Sequence, residues 1–338
     1  MTTPNAINFT HMQAFFNSPL TIGSLQLPNR LIQGPLAGYS CAPFRRLFSL
    51  FTPPAYSVSE MISAHDVVHR HPPDGRYLYR APDEGKLCYQ ISGNNPELMA
   101  NAAAILEHAG ADLIDINCGC PKTKIRKKGA GSALAEKPEQ LIAIVKVIRK
   151  AINCPLTVKL RLQVNQQDIN LAKALADAGA DALIIHGRRW LDDYDKPCKL
   201  QEIAAIKQAV ELPVIVNGDI ADYESLVNSI RETGCDGVMI ARASTGKPWL
   251  FQTLLTNQDA AVDIYQKIAL FMIHLQGLST LESEHQAILQ SKSLVRYYFK
   301  PLLTPDFLQA FYQLSSLQEI ERVLSLYFYH HPPATPDR

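Results

Sequence analysis

Two places in the chain carry nearly the same five-residue signal, His108-Ala109-Gly110-Ala111-Asp112 and Asp177-Ala178-Gly179-Ala180-Asp181. Each follows an amphipathic helical stretch and leads straight into a short apolar run. Glycine just past a helix supplies the left-handed cap, and the strand begins at once. The same strand-then-helix rhythm runs through most of the chain. Strands are expected at Leu31–Gln33, Ala55–Ser59, Lys86–Ile91, Leu113–Ile116, Leu156–Leu160, Ala182–His186, Val214–Val216 and Gly237–Ile240. Helices are expected at Pro96–His108, Pro138–Ala151, Asp168–Ala178 and Asp222–Glu232. Strands alternating with helices imply parallel pairing. Eight such units in roughly 250 residues suit a (β/α)8 TIM barrel better than an open doubly wound sheet.

The rhythm stops near Phe251. From Val262 onward apolar residues recur at three- and four-residue spacing only, which predicts a smaller all-helical C-terminal domain. The division expected is 1–255 for the barrel and 256–335 for the helices, with the segment from His330 to Arg338 as a frayed tail. Arg70–Gly85 and Asp195–Lys199 read as irregular loops. A chain of 338 residues with a 47% hydrophobic and 19% charged composition is ordinary globular protein, and a net charge of +1 points to no particular partner. Seven cysteines without regular spacing, no apolar run of membrane length and no leader pattern at the start fit a cytoplasmic chain with no membrane partner, expected to be a monomer.

The chemistry concentrates at Asp112–Gln140. A strand runs into Asn117-Cys118-Gly119-Cys120-Pro121, followed by a loop carrying Lys122, Lys124, Arg126, Lys127 and Lys128 without an acid, then Gly129-Ala130-Gly131. A thiol at a strand's end stands where barrel enzymes keep their active sites, and Lys124, Arg126, Lys127 and Lys128 read as phosphate contacts for a nucleic acid. Other polar residues end the strands in turn. Gln90 closes the third, Asn117 the fourth, Lys159 and Arg161 the fifth, His186 the sixth and Asn217 the seventh, while Arg242 follows the eighth. An interior lysine is costly without an anionic partner, so a ligand site is the better reading of this ring. The loops Asn217-Gly218-Asp219 and Ala241-Arg242-Ala243-Ser244 stand where barrels bind phosphate. A small-residue turn, Gly34-Pro35-Leu36-Ala37-Gly38, would let the backbone approach a flat ring. Together these suggest a phosphorylated planar cofactor across the barrel mouth.

No metal is expected. Cys118 and Cys120 lack a second pair, and His65, His69 and His71 read as a solvated or RNA-facing surface. Cys118 reads as a buried small residue, and Cys41, Cys88, Cys154, Cys198 and Cys235 as packing or surface thiols.

Along nearly its whole length the chain resembles the tRNA-dihydrouridine synthases. The matching motifs include Pro35-x-Ala37-Gly38, Ser59-Glu60-Met61, Gln90-Ile91-Ser92-Gly93 and Asp115-Ile116-Asn117-x-Gly119-Cys120-Pro121. Gly129-Ala130-Gly131-Ser132, Val158-Lys159-x-Arg161, His186-Gly187-Arg188, Asn217-Gly218-Asp219-Ile220 and Ala241-Arg242-Ala243 follow in order. The resemblance implies an FMN-bearing barrel followed by a helical tRNA-binding domain, with NADPH or NADH as reductant. It implies that FMN touches Pro35, Gln90, Lys159, His186, Asn217, Gly218, Ala241 and Arg242, with Asp219 in the same loop. It implies that Asn117, Cys120 and Arg161 face the uracil. Gly34, Ala241 and the Arg189-Trp190 pair depart from the family's usual residues, which leaves the target uridine open. Reduction of uracil needs hydride at C6 and a proton at C5, and a thiol near its ordinary pKa of about 8.5 suits Cys120 as general acid. Lys122 and Arg161 nearby would instead favour thiolate. A flavin barrel reducing a free pyrimidine, as in dihydroorotate dehydrogenases, would share fold and cofactor but not need the helical domain. A Schiff-base aldolase using Lys159 would bind no flavin. A non-catalytic RNA-binding protein would have no use for Cys120, Lys159 and His186 together.

Overall fold

A computed structural model describes residues 9–300 and 302–333. Eight parallel strands close on themselves in chain order: β1 (Leu31–Gln33), β2 (Ser57–Ser63), β3 (Leu87–Ser92), β4 (Leu113–Cys118), β5 (Leu156–Arg161), β6 (Ala182–His186), β7 (Val214–Asn217) and β8 (Gly237–Ile240). β8 pairs with β1, Val238 beside Leu31 and Ile240 beside Gln33, which completes the barrel. The outer helices include α1 (Pro96–His108), α2 (Pro138–Ala151), α3 (Asn165–Asp177), α4 (Leu200–Ala209), α5 (Tyr223–Thr233) and α6 (Leu250–Thr256). This is the expected TIM barrel. α1 and α2 have the expected ends, and α4 is added to the expected set.

The repeated five-residue signal has a structural reason. Gly110 and Gly179 both take positive φ, 92° and 104°, turning the chain from helix to strand. The aspartate that follows binds the preceding strand at both ends of one residue. Asp112 N–H donates to the Leu87 carbonyl and its carboxylate accepts from Leu87 N–H, each at 2.9 Å. Asp181 does the same to Leu156, at 2.7 and 2.8 Å. Gly234-Cys235-Asp236 is a third copy, clasping Val214 at 2.9 and 2.8 Å. Buried-end N–H groups are thereby satisfied where the barrel strands begin. A hairpin, Leu20–Ile22 against Leu25–Leu27, closes that end, its apolar residues joining Ile32, Val58, Cys88, Ile184, Ile215 and Met239 in the barrel interior. A larger core lies between strands and helices.

Four helices follow the barrel: α7 (Ile264–Leu281), α8 (Glu284–Phe299), α9 (Pro305–Phe311) and α10 (Leu317–His330). Asp263, Ser283, Thr304 and Ser316 cap their N-termini, each accepting a backbone N–H. These helices have their own core, which also takes in Cys41 and Leu47 from the barrel. Two glycines set the seam. A Cβ at Gly246 would lie 2.5 Å from the Tyr297 backbone, and one at Gly277 would lie 2.9 Å from Pro43. Arg76 crosses the seam, pairing with Glu60 at 2.7 Å and with Glu282 of the helical domain. The expected second strand, Ala55–Ser59, in fact runs Ser57–Ser63, with a register shift against β3 between Val58 and Met61. The expected tail begins inside α10, and residues 334–338 of it lie outside the described residues.

Candidate active site at the barrel mouth

The strand ends divide into two sides. On the β3–β5 side, side chains bind one another. Thr157 Oγ1 donates to Asp115 Oδ1 at 2.6 Å, and Gln90 Nε2 donates to Asp115 Oδ2 at 2.7 Å. Asn117 Nδ2 donates to Gln90 Oε1 at 2.7 Å. Asn117 Oδ1 in turn accepts the backbone N–H of Cys120 at 3.0 Å and of Gly119 at 3.3 Å. All four side chains in this chain are buried. Burial raises the Asp115 carboxyl, against the opposing pull of Thr157, Gln90 and Lys159. Asp115 and Thr157 are missing from the site residues expected from sequence. Their signal was a polar residue on a strand's inward face two positions before an expected one.

Arg161, buried at the end of β5, holds the Cys120 loop from the other flank. Its Nε donates to the Gly119 carbonyl at 2.8 Å and its Nη1 to the Arg189 carbonyl at 3.2 Å. The Gly129–Ser132 turn closes behind Cys120. Gly131 takes φ 61°, and a Cβ there would lie 2.7 Å from the Cys120 carbonyl, which accepts Ser132 N–H at 3.0 Å. Cys120 itself is half-buried, whereas Cys118 is fully buried and its thiol is pushed well up by burial.

Arg126 faces inward from the basic loop. It donates to Ser132 at 2.8 Å, pairs with Glu136 at 2.9 Å and lies 3.6 Å from the centre of the Trp190 ring. Lys122, Lys124, Lys127 and Lys128 are exposed, and none of them forms an ion pair among the described residues. The loop thus separates into one clamp and four free cations. Arg189-Trp190, the departure noted in the sequence, provides the ring for that clamp.

The β5–β8 side is built differently. Lys159 lies beside Asn117 across β4 and β5, and His186 lies beside both Arg161 and Asn217. Neither the Lys159 ammonium nor the His186 ring is hydrogen-bonded or ion-paired within 4.0 Å among the described residues. Burial pulls Lys159 down to about 8, with Asp115 opposing and Arg161 reinforcing the fall. Burial, then the charges of Lys159, Arg161, Arg188 and Arg242, hold His186 far below the ordinary imidazole range, so the ring is neutral. Gly218 takes φ 122°, and a Cβ there would lie 2.4 Å from Cys198 Sγ and 2.9 Å from the His186 ring. Only glycine allows this backbone conformation and this close an approach to both side chains.

Asp219, with φ 56°, turns its carboxylate to Arg188 at 2.7 Å and to Cys198 N–H at 3.1 Å. Arg188 is almost fully buried and also holds the carbonyls of Tyr194 and Lys196. Asp219 therefore braces the 187–199 loop. Arg242 opens a short 3-10 turn after Ala241, half-exposed, its guanidinium 4.1 Å from the centre of the Tyr194 ring. Asn217 donates to the Met239 carbonyl at 2.8 Å. Pro35 begins the turn after β1, where Gly38 N–H donates to Glu60 at 2.5 Å and its carbonyl accepts from Arg76 at 3.0 Å. Among the described residues no three His, Cys, Asp or Glu side chains gather as metal ligands, and no helix is long and apolar enough to cross a membrane.

Residues 32–325 match the family described as dihydrouridine synthase (Dus). The chain is 36% identical to a probable tRNA-dihydrouridine synthase 1 of Synechocystis sp., over 94% of this chain and 92% of that one. It is 35% identical to tRNA-dihydrouridine synthase B of Vibrio vulnificus, over 83% and 89% of the two chains. Among solved structures, morphinone reductase superposes with a TM-score of 0.52 at 15% identity, covering 75% of this chain and 92% of that one, a likeness of fold.

Proposed function

Since the chain belongs to the dihydrouridine synthase family, we propose that it reduces a uridine of tRNA to 5,6-dihydrouridine, with FMN as redox group and NADPH or NADH as reductant. The observation that carries this reading is the opposition at the mouth of a held, half-buried thiol, Cys120, to a lysine and a histidine without protein partners. The residues of the β5–β8 side fit FMN. An unpaired ammonium and a neutral imidazole are donors for the electron-rich edge of a flavin, and the Arg242 guanidinium, 3.9 Å from Asp219 at the same loop, suits a phosphate. Pro35, Asn217 and Ala241 would line the same space, and Asp219 would serve it by bracing the loop. Gln90 carries the chain from Asp115 to Asn117 and keeps a second amide hydrogen and a second lone pair with which it would touch FMN.

FMN held there would supply hydride chemistry toward C6 of the uracil. Cys120 holds the proton for C5, and its thiol stands at the mouth because Asn117, Arg161 and the Gly131 turn fix its backbone on three sides. Asn117 and Arg161 thus act on the uracil through the placement of Cys120. Developing charge on the uracil oxygen would fall in a field already made positive by Arg161, Arg188 and Arg242. A lysine in that field with a partner-free ammonium suits a cofactor contact. An aldolase role for it gains no support from the relatives.

A target uridine must be unpaired and turned inward to reach a barrel mouth. Lys124, Lys127 and Lys128 are proposed to hold tRNA phosphates, with the helical domain, residues 256–335, as the second contact. The barrel 1–255 would carry the chemistry. Mapping dihydrouridine in tRNA from cells lacking the gene tests the reading. Loss at one position supports it, and an unchanged map overturns it.

A further inference from the structure

The hydrogen-bond chain behind Cys120 has a direction, and one residue can impose it. An ionised carboxylate accepts and never donates. Asp115 therefore takes hydrogens from Thr157 and from Gln90, which turns the Gln90 Nε2 toward it and the Gln90 Oε1 away. That oxygen requires a donor, so Asn117 presents Nδ2 to it. Asn117 is left with Oδ1 toward the loop, which suits the N–H groups of Gly119 and Cys120. Reversing either amide would set donor against donor at one joint and acceptor against acceptor at another, in a place where water cannot intervene.

We propose that Asp115 is a positioning residue whose carboxylate fixes the polarity of the Gln90–Asn117 relay and so the backbone of the Cys120 loop. Its importance for turnover rests on the reading of Cys120 given above; the relay itself does not. Of the groups acting on Asp115, Lys159 is the cation, on the neighbouring strand β5, while the Cys88 and Cys118 thiols and the Tyr56 phenol are kept neutral by burial.

The relay can be run backwards by exchanging two residues. Asn117→Asp alone puts a carboxylate on each side of Gln90, which has one amide nitrogen to give. One carboxylate then faces an oxygen unless it takes up a proton, so the damage grows as pH rises. Adding Asp115→Asn removes the conflict. The new amide at 115 donates to Gln90 Oε1 and accepts from Thr157, Gln90 Nε2 turns to position 117, and the carboxylate there accepts from Gly119 and Cys120.

The experiment is amide hydrogen exchange at Gly119 and Cys120 in the full chain, from pH 7 to 9, corrected for intrinsic rates. Expected at the upper end is loss of about tenfold or more protection in Asn117→Asp, and return to within about threefold of the starting protein in the double variant. A double variant no better protected than Asn117→Asp, or an Asn117→Asp protein fully protected at pH 9, overturns the proposal. Should Asn117→Asp fail to fold, a folded and protected double variant supports the relay and an unfolded one overturns it. In the tRNA-driven half of turnover the double variant should exceed Asn117→Asp by about tenfold, a rescue that a merely space-filling Asp115 would not give. Exchange is read without tRNA or nicotinamide, so failure of the relay and failure of the dihydrouridine reading are separate results.

Discussion

The two sides of the barrel mouth use similar residues in opposite ways. From β3 to β5, Gln90, Asp115, Asn117, Thr157 and Arg161 satisfy one another or the backbone, and what they hold is a piece of the protein, the Cys120 loop. From β5 to β8, Lys159 and His186 have no such partners, and Gly218 lets the backbone pass close against Cys198 and the His186 ring. Buried polar groups are ordinarily paired. A closed network therefore marks where the protein fixes its own atoms, whereas the Lys159 and His186 nitrogens lack a protein partner yet keep some solvent access, which leaves them able to meet a ligand. On the function proposed above, proton delivery belongs to the first side and cofactor binding to the second, and each assignment can be broken separately.

The largest effect is expected on the closed side. Cys120→Ala should keep its flavin and be bleached by NADPH at a near-normal rate, while reoxidation by unmodified tRNA falls by about 10² or more. Cys118→Ala, at a fully buried neighbour, should do far less. Stopped-flow measurement of the two half-reactions checks this, and normal reoxidation in Cys120→Ala would remove the thiol from the chemistry. On the open side, Arg242→Ala should leave the half-reactions intact at saturating FMN but loosen the cofactor. A charge-assisted phosphate contact is worth roughly 1.5–3 kcal/mol, or about 10- to 100-fold in affinity, before allowance for the half-exposed position of this side chain. Fluorescence titration of the apoprotein reads it, and an unchanged affinity would place the phosphate elsewhere.

Outside both sides lies the basic loop, and here a smaller effect is expected. Replacing Lys124, Lys127 and Lys128 together by glutamine should weaken tRNA binding and lower the slope of log K against log salt by about 2, with FMN retained. Arg126→Gln belongs to a different class, since this side chain clamps Ser132, Glu136 and Trp190. It should disturb the Cys120 loop more than the salt dependence. Equal salt effects from Arg126 and the lysines would erase the distinction.

The barrel was legible because its signals are local. Glycine and aspartate at three of the helix-to-strand turns sit in sequence where they act in space, so the strands could be read with errors of a residue or two, apart from β2, where a register shift displaced the pairing. The ring of strand-end polar residues was legible for the same reason, since the end of a strand in a barrel is the mouth. Which member is held by a protein neighbour and which is not was hidden. Gln90 and Lys159 look alike in sequence, yet one has both amide ends engaged and the other has no partner. That difference depends on contacts between strands, as does the inward turn of Arg126, whose partners Glu136 and Trp190 lie in later segments.

The smallest expected effect tests the open side by pH alone. Lys159 is pulled down to about 8 chiefly by burial, with Arg161 adding to the fall and Asp115 resisting it. Its ammonium is therefore present below that pH and lost above it, whereas an ordinary lysine would stay charged throughout this range. If the ammonium is a donor to bound FMN, the cofactor binds the protonated form, and its affinity should fall as pH rises through about 8. The expected loss is roughly fourfold between pH 7 and about 8.5, since the charged fraction falls by that factor. Linkage requires the converse, uptake of a proton when FMN binds above pH 8, which calorimetry in buffers of different ionisation enthalpy measures. Lys159→Met should bind FMN more weakly and without this pH dependence. A flat profile in the unsubstituted protein would mean that Asp115, the carboxylate that raises it, keeps the lysine charged by itself. Lys159 would then belong to the closed side of the mouth, and the division between the two sides would run between β5 and β6 instead of through β5.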